Sequence, residues 1–395
     1  MANNVAADIT AEWVHVQYSE TQHLFKEVYG FAGSQGRVNL EGVRMMPKGR
    51  ASKTLVVMMH PAAATEFLPV PRALAAAGMH MLCAGNRFFR NDTPLIFEKV
   101  ALDLNAYMRH AREEWGYEKI VLLGWSGGGP LALFFQSQAE RPTVTATPAG
   151  DPVDLTSAKL LPADGVIFQA ANISRANLLS QSIDPSVIDE ADPDKRILEL
   201  DIYDPRNPNQ PPYSADYISH YRAKQLARMR RRTAYAKETL EMLRKRGGKE
   251  TERGFVTHRT MADLRYVDKN VDPNDRPERT CVIGEPESAN SGPAGFGRFS
   301  TLRSWLSQWS VDDTNVDGIR GAGAIKVPLL TIENSGDEAC PASDPKAIHA
   351  AAGSKDKTYL RLDKAMHYYQ GQPELLKQAT GASIDWMRRR KLLQD

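Results

Sequence analysis

The run Gly124-Trp125-Ser126-Gly127-Gly128 constrains this chain most, because it stands directly after the apolar stretch 120–123 and before the helix-forming stretch 130–136. A serine on a tight strand-to-helix turn needs small neighbours, since the backbone bends through strained angles there and the helix packs close behind it. The strand before it and the helix after it are what give Gly-x-Ser-x-Gly its specificity. A helix start at this point also brings backbone N–H groups and positive potential to where an oxyanion would form.

The surrounding pattern fits such a turn. Apolar runs at 37–46, 53–59, 80–84, 119–123, 165–170, 327–333 and 358–362 read as strands, with helical stretches between them. The clearest helix covers 94–115, with Phe97, Ala101, Leu104, Met108, Ala111 and Trp115 on one face, Thr93 and Pro94 opening it and Gly116 closing it. Alternation of this kind predicts an α/β fold built on a mainly parallel sheet flanked by helices on both faces. It fails at 172–323, where the chain is Pro-rich and charged (184–212), then helical (214–246), then loop-like (271–298) and aromatic (299–309). The expected organisation is a core of 1–171 and 324–395 with a large, mostly helical cap inserted at 172–323. A smaller insertion is expected at 142–162.

Composition removes several classes. Over 395 residues, 42% apolar and 25% charged content excludes wholesale disorder and a collagen-like chain. Fifty Lys and Arg against 48 Asp and Glu give no global attraction to nucleic acid or acidic membranes. The early acids Asp8 and Glu12, without a basic segment followed by an apolar core, do not read as a secretory signal, and the longest apolar run, 54–59, is strand-sized. A cytoplasmic protein without a membrane partner is expected. Cys83, Cys281 and Cys340 form no CxxC pair and read as reduced packing thiols. No HExxH, GxxxxGK[ST] or strand-linked GxGxxG occurs, so neither a metal nor a cofactor is expected.

A serine hydroxyl is a poor nucleophile near neutral pH and requires a base, which in turn requires an orienting carboxylate. Asp337 follows the strand at 327–333 and His367 follows the strand at 358–362. Strand-end residues project from the carboxyl edge of a parallel sheet, where Ser126 also lies, so the three positions can meet. Glu338 is the neighbouring alternative to Asp337.

These residues resemble the α/β-hydrolase family, whose nucleophile elbow, late acid and final-strand histidine match Ser126, Asp337 and His367. The resemblance covers most of 37–170 and 324–395 but not the cap. Gly336 before the acid and Pro341 four residues after it also fit the family's pattern. It implies an oxyanion hole made by the Gly127 N–H and a second amide from the loop after the strand 53–59. Family members commonly have His-Gly there. This chain has His60-Pro61, and proline carries no N–H, which leaves the Ala62 amide as the second donor. His60 itself reads as a loop-stabilising residue. Members that use Asp at the elbow form alkyl-enzyme esters; Ser126 implies acyl transfer instead.

Substrate contacts are expected from Trp125 beside the nucleophile, from Phe88 and Phe89 after the strand at 80–84, and from Trp305 and Trp309 of the cap. The basic helix at 214–246 carries Arg222, Arg228, Arg230, Arg231 and Arg232, and reads as a face pairing with the acidic stretch 184–204 rather than as a nucleic-acid surface. The expected function is a serine hydrolase that cleaves a small-molecule carboxylic ester or lactone through an acyl-enzyme on Ser126. A C–C bond hydrolase or an amidase uses the same triad, and a non-catalytic ligand-binding protein on this fold is the alternative from another class. The sequence leaves a homodimer open.

Overall fold

The computed structural model describes residues 8–20 and 37–393; residues 1–7, part of the stretch read for a leader, lie outside them. Alternating side chains build the first two strands, β1 (Ile9–Ser19) and β2 (Arg37–Pro47), in which Val14, Val16, Val38 and Leu40 face inward. Apolar runs without alternation form β3 (Thr54–Met59), β4 (His80–Ala84), β5 (Lys119–Ser126) and β6 (Gly165–Ala171), all buried along their length except at the two ends of β5. That is the signature of strands covered on both faces. Helices α1 (Pro69–Ala76), α2 (Phe97–Glu113) and α3 (Gly128–Glu140) connect them.

Between β6 and the next strand of the same sheet stand α4 (Arg175–Ser182), the 32-residue α5 (Ala215–Arg246), a two-stranded ribbon of β7 (Gly254–Val256) and β8 (Phe299–Thr301), α6 (Pro286–Ser291), α7 (Leu302–Ser304) running into a π-turn at Trp305–Trp309, and α8 (Gly318–Ala324). The chain then returns through β9 (Leu329–Asn334), α9 (Ser343–Ala351), β10 (Lys357–Leu362) and α10 (Pro373–Arg389). Among the described residues the main sheet has eight strands in the order β1-β2-β4-β3-β5-β6-β9-β10, antiparallel at β1/β2 and β2/β4 and parallel thereafter.

Period-two geometry splits each central strand between two cores. Leu55, Val57 and Met59 pack with α2 and α3, whereas Val56 and Met58 join Leu74, Val121, Leu123, Trp386 and Met387 on the other face. Each such fully buried aliphatic side chain stabilises the fold by about 1.5–3 kcal/mol.

Two expectations change. β1 was not anticipated, although Val14, Val16 and Tyr18 alternate there; its pairing with β2 in full register supplies what its short apolar content lacks. α2 opens at Phe97 rather than at Pro94, because a turn closed by Leu95 N–H donating to Asp92 O (3.2 Å) occupies its expected first turn. The Phe97 amide is instead satisfied by the Ser307 hydroxyl at 2.9 Å, from 210 residues away. The basic side chains of α5 are largely committed: Arg228 to Glu190, Arg222 to Asp263, Arg230 to Asp312 and Lys237 to Asp313. Only the first of these partners lies in 184–204.

Candidate active site

β5 ends on Ser126, which holds a left-handed φ of +53°, costly for a residue with a β-carbon. Packing on both sides of it enforces that strain. A β-carbon on Gly124 would stand 2.6 Å from Gly129 Cα, and one on Gly128 would stand 2.5 Å from the Met59 carbonyl oxygen, so only glycines let α3 close onto β3 and β5 here. Gly127 caps α3 and follows the serine directly.

β9 and β10 deliver the other two residues. His367 Nδ1 lies 2.9 Å from Asp337 Oδ2, with both side chains buried. Asp337 Oδ1 accepts hydrogen bonds from the Ala339 and Cys340 amides, each at 2.7 Å. Glu338 takes a different role: its Oε2 accepts from the His367 backbone N–H at 3.2 Å, and burial followed by the Asp337 charge raises its pKa above the usual carboxylate range. Asp337, not Glu338, therefore holds the hydrogen bond to the imidazole. His367 Nε2 is buried and, among the described residues, makes no hydrogen bond. The Cys340 thiol, whose pKa Ser126 slightly lowers, donates to the Ala170 carbonyl at 3.3 Å.

Cys340 was read only as packing, and nothing local in sequence marks it; the Asp337 loop folds back to place it there. Donor atoms of Asp337, Cys340 and His367 all lie within 4.8 Å of one another, a set that could hold a cation. Burial and the neighbouring acids Asp337 and Asp344 keep the Cys340 thiol protonated well above its ordinary range, and a protonated thiol is a poor ligand.

The loop after β3 departs from expectation. The Ala62 N–H, assigned to the oxyanion hole, donates to His60 Nδ1 at 3.1 Å, and the Ala63 N–H donates to the same atom at 2.8 Å. Asn86 fixes the other side of the loop, donating from Nδ2 to the carbonyls of His60 (3.1 Å) and Pro61 (3.0 Å). His60 is thus a loop-stabilising residue through Nδ1, while the Ala62 amide is spent inside its own loop. Burial, then the charges of Arg175 and His367, push the His60 pKa down to about 3.

The aromatic candidates divide. Trp125 is buried against the site, its ring 4.3 Å from that of His367 and 5.3 Å from that of Tyr368. Phe88 belongs to the core under α2, and Phe89 is half-buried beneath the Arg90 guanidinium. Trp305 lies inside the insertion's own core, where its Nε1 donates to Thr233 Oγ1 at 2.9 Å. Trp309 is covered by the Arg175 guanidinium at 4.1 Å, and the stem of Arg175 in turn borders Gly127. Arg175 pairs with Asp92 and donates to Gln308, so the insertion reaches the residue after the serine through it. Arg87 is buried in ion pairs with Asp103 and Glu20.

Segment 272–276 of the insertion grips the Asp337 loop: the Asp275 N–H donates to the Ser335 carbonyl at 2.7 Å and Asn274 Nδ2 donates to the Asp337 carbonyl at 3.3 Å. A cavity of about 20 Å³ behind Asp337, bordered by Leu178, Arg265, Asn274 and Glu338, has room for about one water molecule. A larger cavity of about 350 Å³, lined by Tyr18, Leu102, Asn105 and Arg109, shares no residue with this site. Among the described residues, no helix is long and apolar enough to cross a membrane.

No family model and no curated protein matches the chain. Solved structures do. The chain is similar to the alpha/beta hydrolase GrgF from Penicillium sp. sh18, with 10% identity, a TM-score of 0.51, and 96% of this chain and 98% of that one covered. Similarity also extends to DcsB in complex with its substrate analogue (13% identity, TM-score 0.47, 96% and 99% covered) and to the esterase domain of a Rhodothermus marinus protein (13%, 0.45, 96% and 98%). With its mainly parallel eight-stranded sheet between two helical layers and a strained serine turn between β5 and α3, the chain has the α/β-hydrolase fold.

Proposed function

We propose that the protein is a serine hydrolase that cleaves a small-molecule carboxylic ester or lactone, with Ser126 as nucleophile, His367 as base and Asp337 as the orienting acid. The observation that carries this reading is the buried His367, hydrogen-bonded to Asp337 through Nδ1 and left without a partner at Nε2, beside a serine held at φ +53°. Most buried polar atoms are hydrogen-bonded, and Nε2 is among the exceptions.

For attack, the Ser126 hydroxyl turns towards Nε2. Its oxygen bonds to the substrate carbonyl carbon while its proton passes to Nε2, and Asp337 stabilises the imidazolium. Collapse of the tetrahedral intermediate expels the alkoxide, which takes that proton, and leaves an acyl-enzyme. Water, deprotonated by the same Nε2, then releases the acid and regenerates the serine. Catalytic hydrogen bonds in unliganded enzymes often form only when substrate binds, so the unmade bond from serine to histidine fits this cycle.

Residues 172–323 act in this reading as a cap over the carboxyl edge of the sheet, supported by the contacts of Arg175, Asn274 and Asp275 with the core. The test is hydrolysis of p-nitrophenyl esters of increasing acyl length, together with fluorophosphonate labelling, in the wild type and in Ser126→Ala. Turnover and labelling that vanish in a folded Ser126→Ala support the reading; undiminished turnover in that variant overturns it.

A further inference from the structure

We infer that His60 is a catalytic residue whose Nε2–H supplies the second hydrogen bond of the oxyanion hole, beside the Gly127 amide. The inference rests on the serine-hydrolase reading and adds to it the group that binds the developing charge.

Tautomer and position lead to this assignment. Nδ1 of His60 accepts two backbone hydrogen bonds, from Ala62 (3.1 Å) and Ala63 (2.8 Å), so it carries no proton. A neutral ring must then carry its proton on Nε2. The ring is neutral across the working pH range, because burial and the positive Arg175 nearby hold its pKa near 3. Nε2 makes no hydrogen bond to any described residue, and it stands 3.2 Å from where a β-carbon on Gly127 would lie. It therefore sets a donor atom against Gly127, the residue whose amide it would join.

The amides of the loop are committed elsewhere. Pro61 offers no N–H, and the Ala62 amide is engaged by the imidazole itself. The loop thus exchanges one donor for another: two amides fix Nδ1, and the ring passes the hydrogen-bonding capacity on through Nε2. Asn86 holds the His60 and Pro61 carbonyls from behind, so the ring does not need to reorganise when charge develops. Such preorganised donors contribute most to acyl-transfer catalysis. No proton leaves His60 in this step. As Ser126 Oγ bonds to the carbonyl carbon, the π pair moves onto oxygen, and Nε2–H stabilises that oxygen by hydrogen bonding alone.

Two substitutions separate the donor from the loop-stabilising acceptor. His60→Asn keeps an acceptor where Nδ1 stands and removes the donor; His60→Gln reaches the Nε2 position with an amide N–H. With p-nitrophenyl acetate, His60→Asn is expected to lower kcat by about 10²–10³-fold while KM stays within about threefold, and His60→Gln to recover most of that loss. The second measurement uses the wild type: the His60 Nε2–H proton resonance should move downfield when a methyl trifluoromethyl ketone adds to Ser126. If His60→Asn turns over like the wild type, or if that resonance does not move, the inference is overturned while Ser126 chemistry stands. If His60→Asn does not fold, the resonance alone decides. A wild type that neither hydrolyses the ester nor reacts with fluorophosphonate overturns the serine-hydrolase reading itself, and this inference with it.

Discussion

Asp337 Oδ2 and His367 Nδ1 lie 2.9 Å apart in a buried pair, and the opposite oxygen of the same carboxylate is pinned by the amides of Ala339 and Cys340. The carboxylate therefore cannot rotate without losing three hydrogen bonds, and it fixes which imidazole nitrogen carries the proton. Replacing Asp337 by Asn keeps the size but presents either an amide N–H or a weaker acceptor to Nδ1. Asp337→Asn should lower kcat on p-nitrophenyl esters by about 10⁴-fold with little change in melting temperature. Steady-state kinetics beside a thermal melt checks both halves.

The approach of α3 to β3 at Gly128 leaves no room for a side chain, since its β-carbon would meet the Met59 carbonyl at 2.5 Å. Gly128→Ala must push α3 off the sheet or bend the start of the His60 loop. A loss of about 1–3 kcal/mol in urea unfolding is expected, together with reduced turnover. Gly381, on α10 with open space at its β-position, is the control: Gly381→Ala should be neutral or stabilising by up to about 1 kcal/mol.

Asp344, at the first turn of α9, accepts from the Ile173 N–H at 2.8 Å, and burial raises its pKa to about 6 against the opposing charge of Arg265. A carboxyl whose folded pKa exceeds its unfolded value stabilises the fold fully below about pH 4, and that contribution is lost as pH rises through 6. Asp344→Asn, which keeps an acceptor for Ile173, should thus gain stability over the wild type at pH 7.5, on the order of 2–3 kcal/mol, and little or none at pH 4. Chemical denaturation at the two pH values measures the difference; an equal effect at both would contradict it.

Arg228 of α5 is fully buried, makes two 2.8 Å bonds to Glu190 and also donates to the carbonyls of Asp184 (2.7 Å) and His258 (2.8 Å). Arg228→Met removes the cation but leaves Glu190 and the carbonyls behind. Its expected cost is about 3–5 kcal/mol in equilibrium unfolding. Arg230→Met, whose partner Asp312 is half exposed, should cost no more than about 1 kcal/mol.

Local pattern alone made the central strands, the glycine-framed serine turn and the strand-end positions of Asp337 and His367 legible, because period-two burial and turn chemistry depend on residues close in sequence. The helix at 214–246, capped by Ser214, was legible for the same reason. What tertiary structure decided depends on partners far along the chain. Ser307 satisfies the amide at which α2 begins, β2 makes a strand of residues 9–19, and Thr233 draws Trp305 into the insertion's core, where Trp309 is also buried beneath Arg175. The sequence shows that Pro61 lacks an N–H, but not that the Ala62 amide turns to the imidazole of His60. That orientation follows from Asn86, which holds the loop's carbonyls from the neighbouring strand end, and only folding brings the two together.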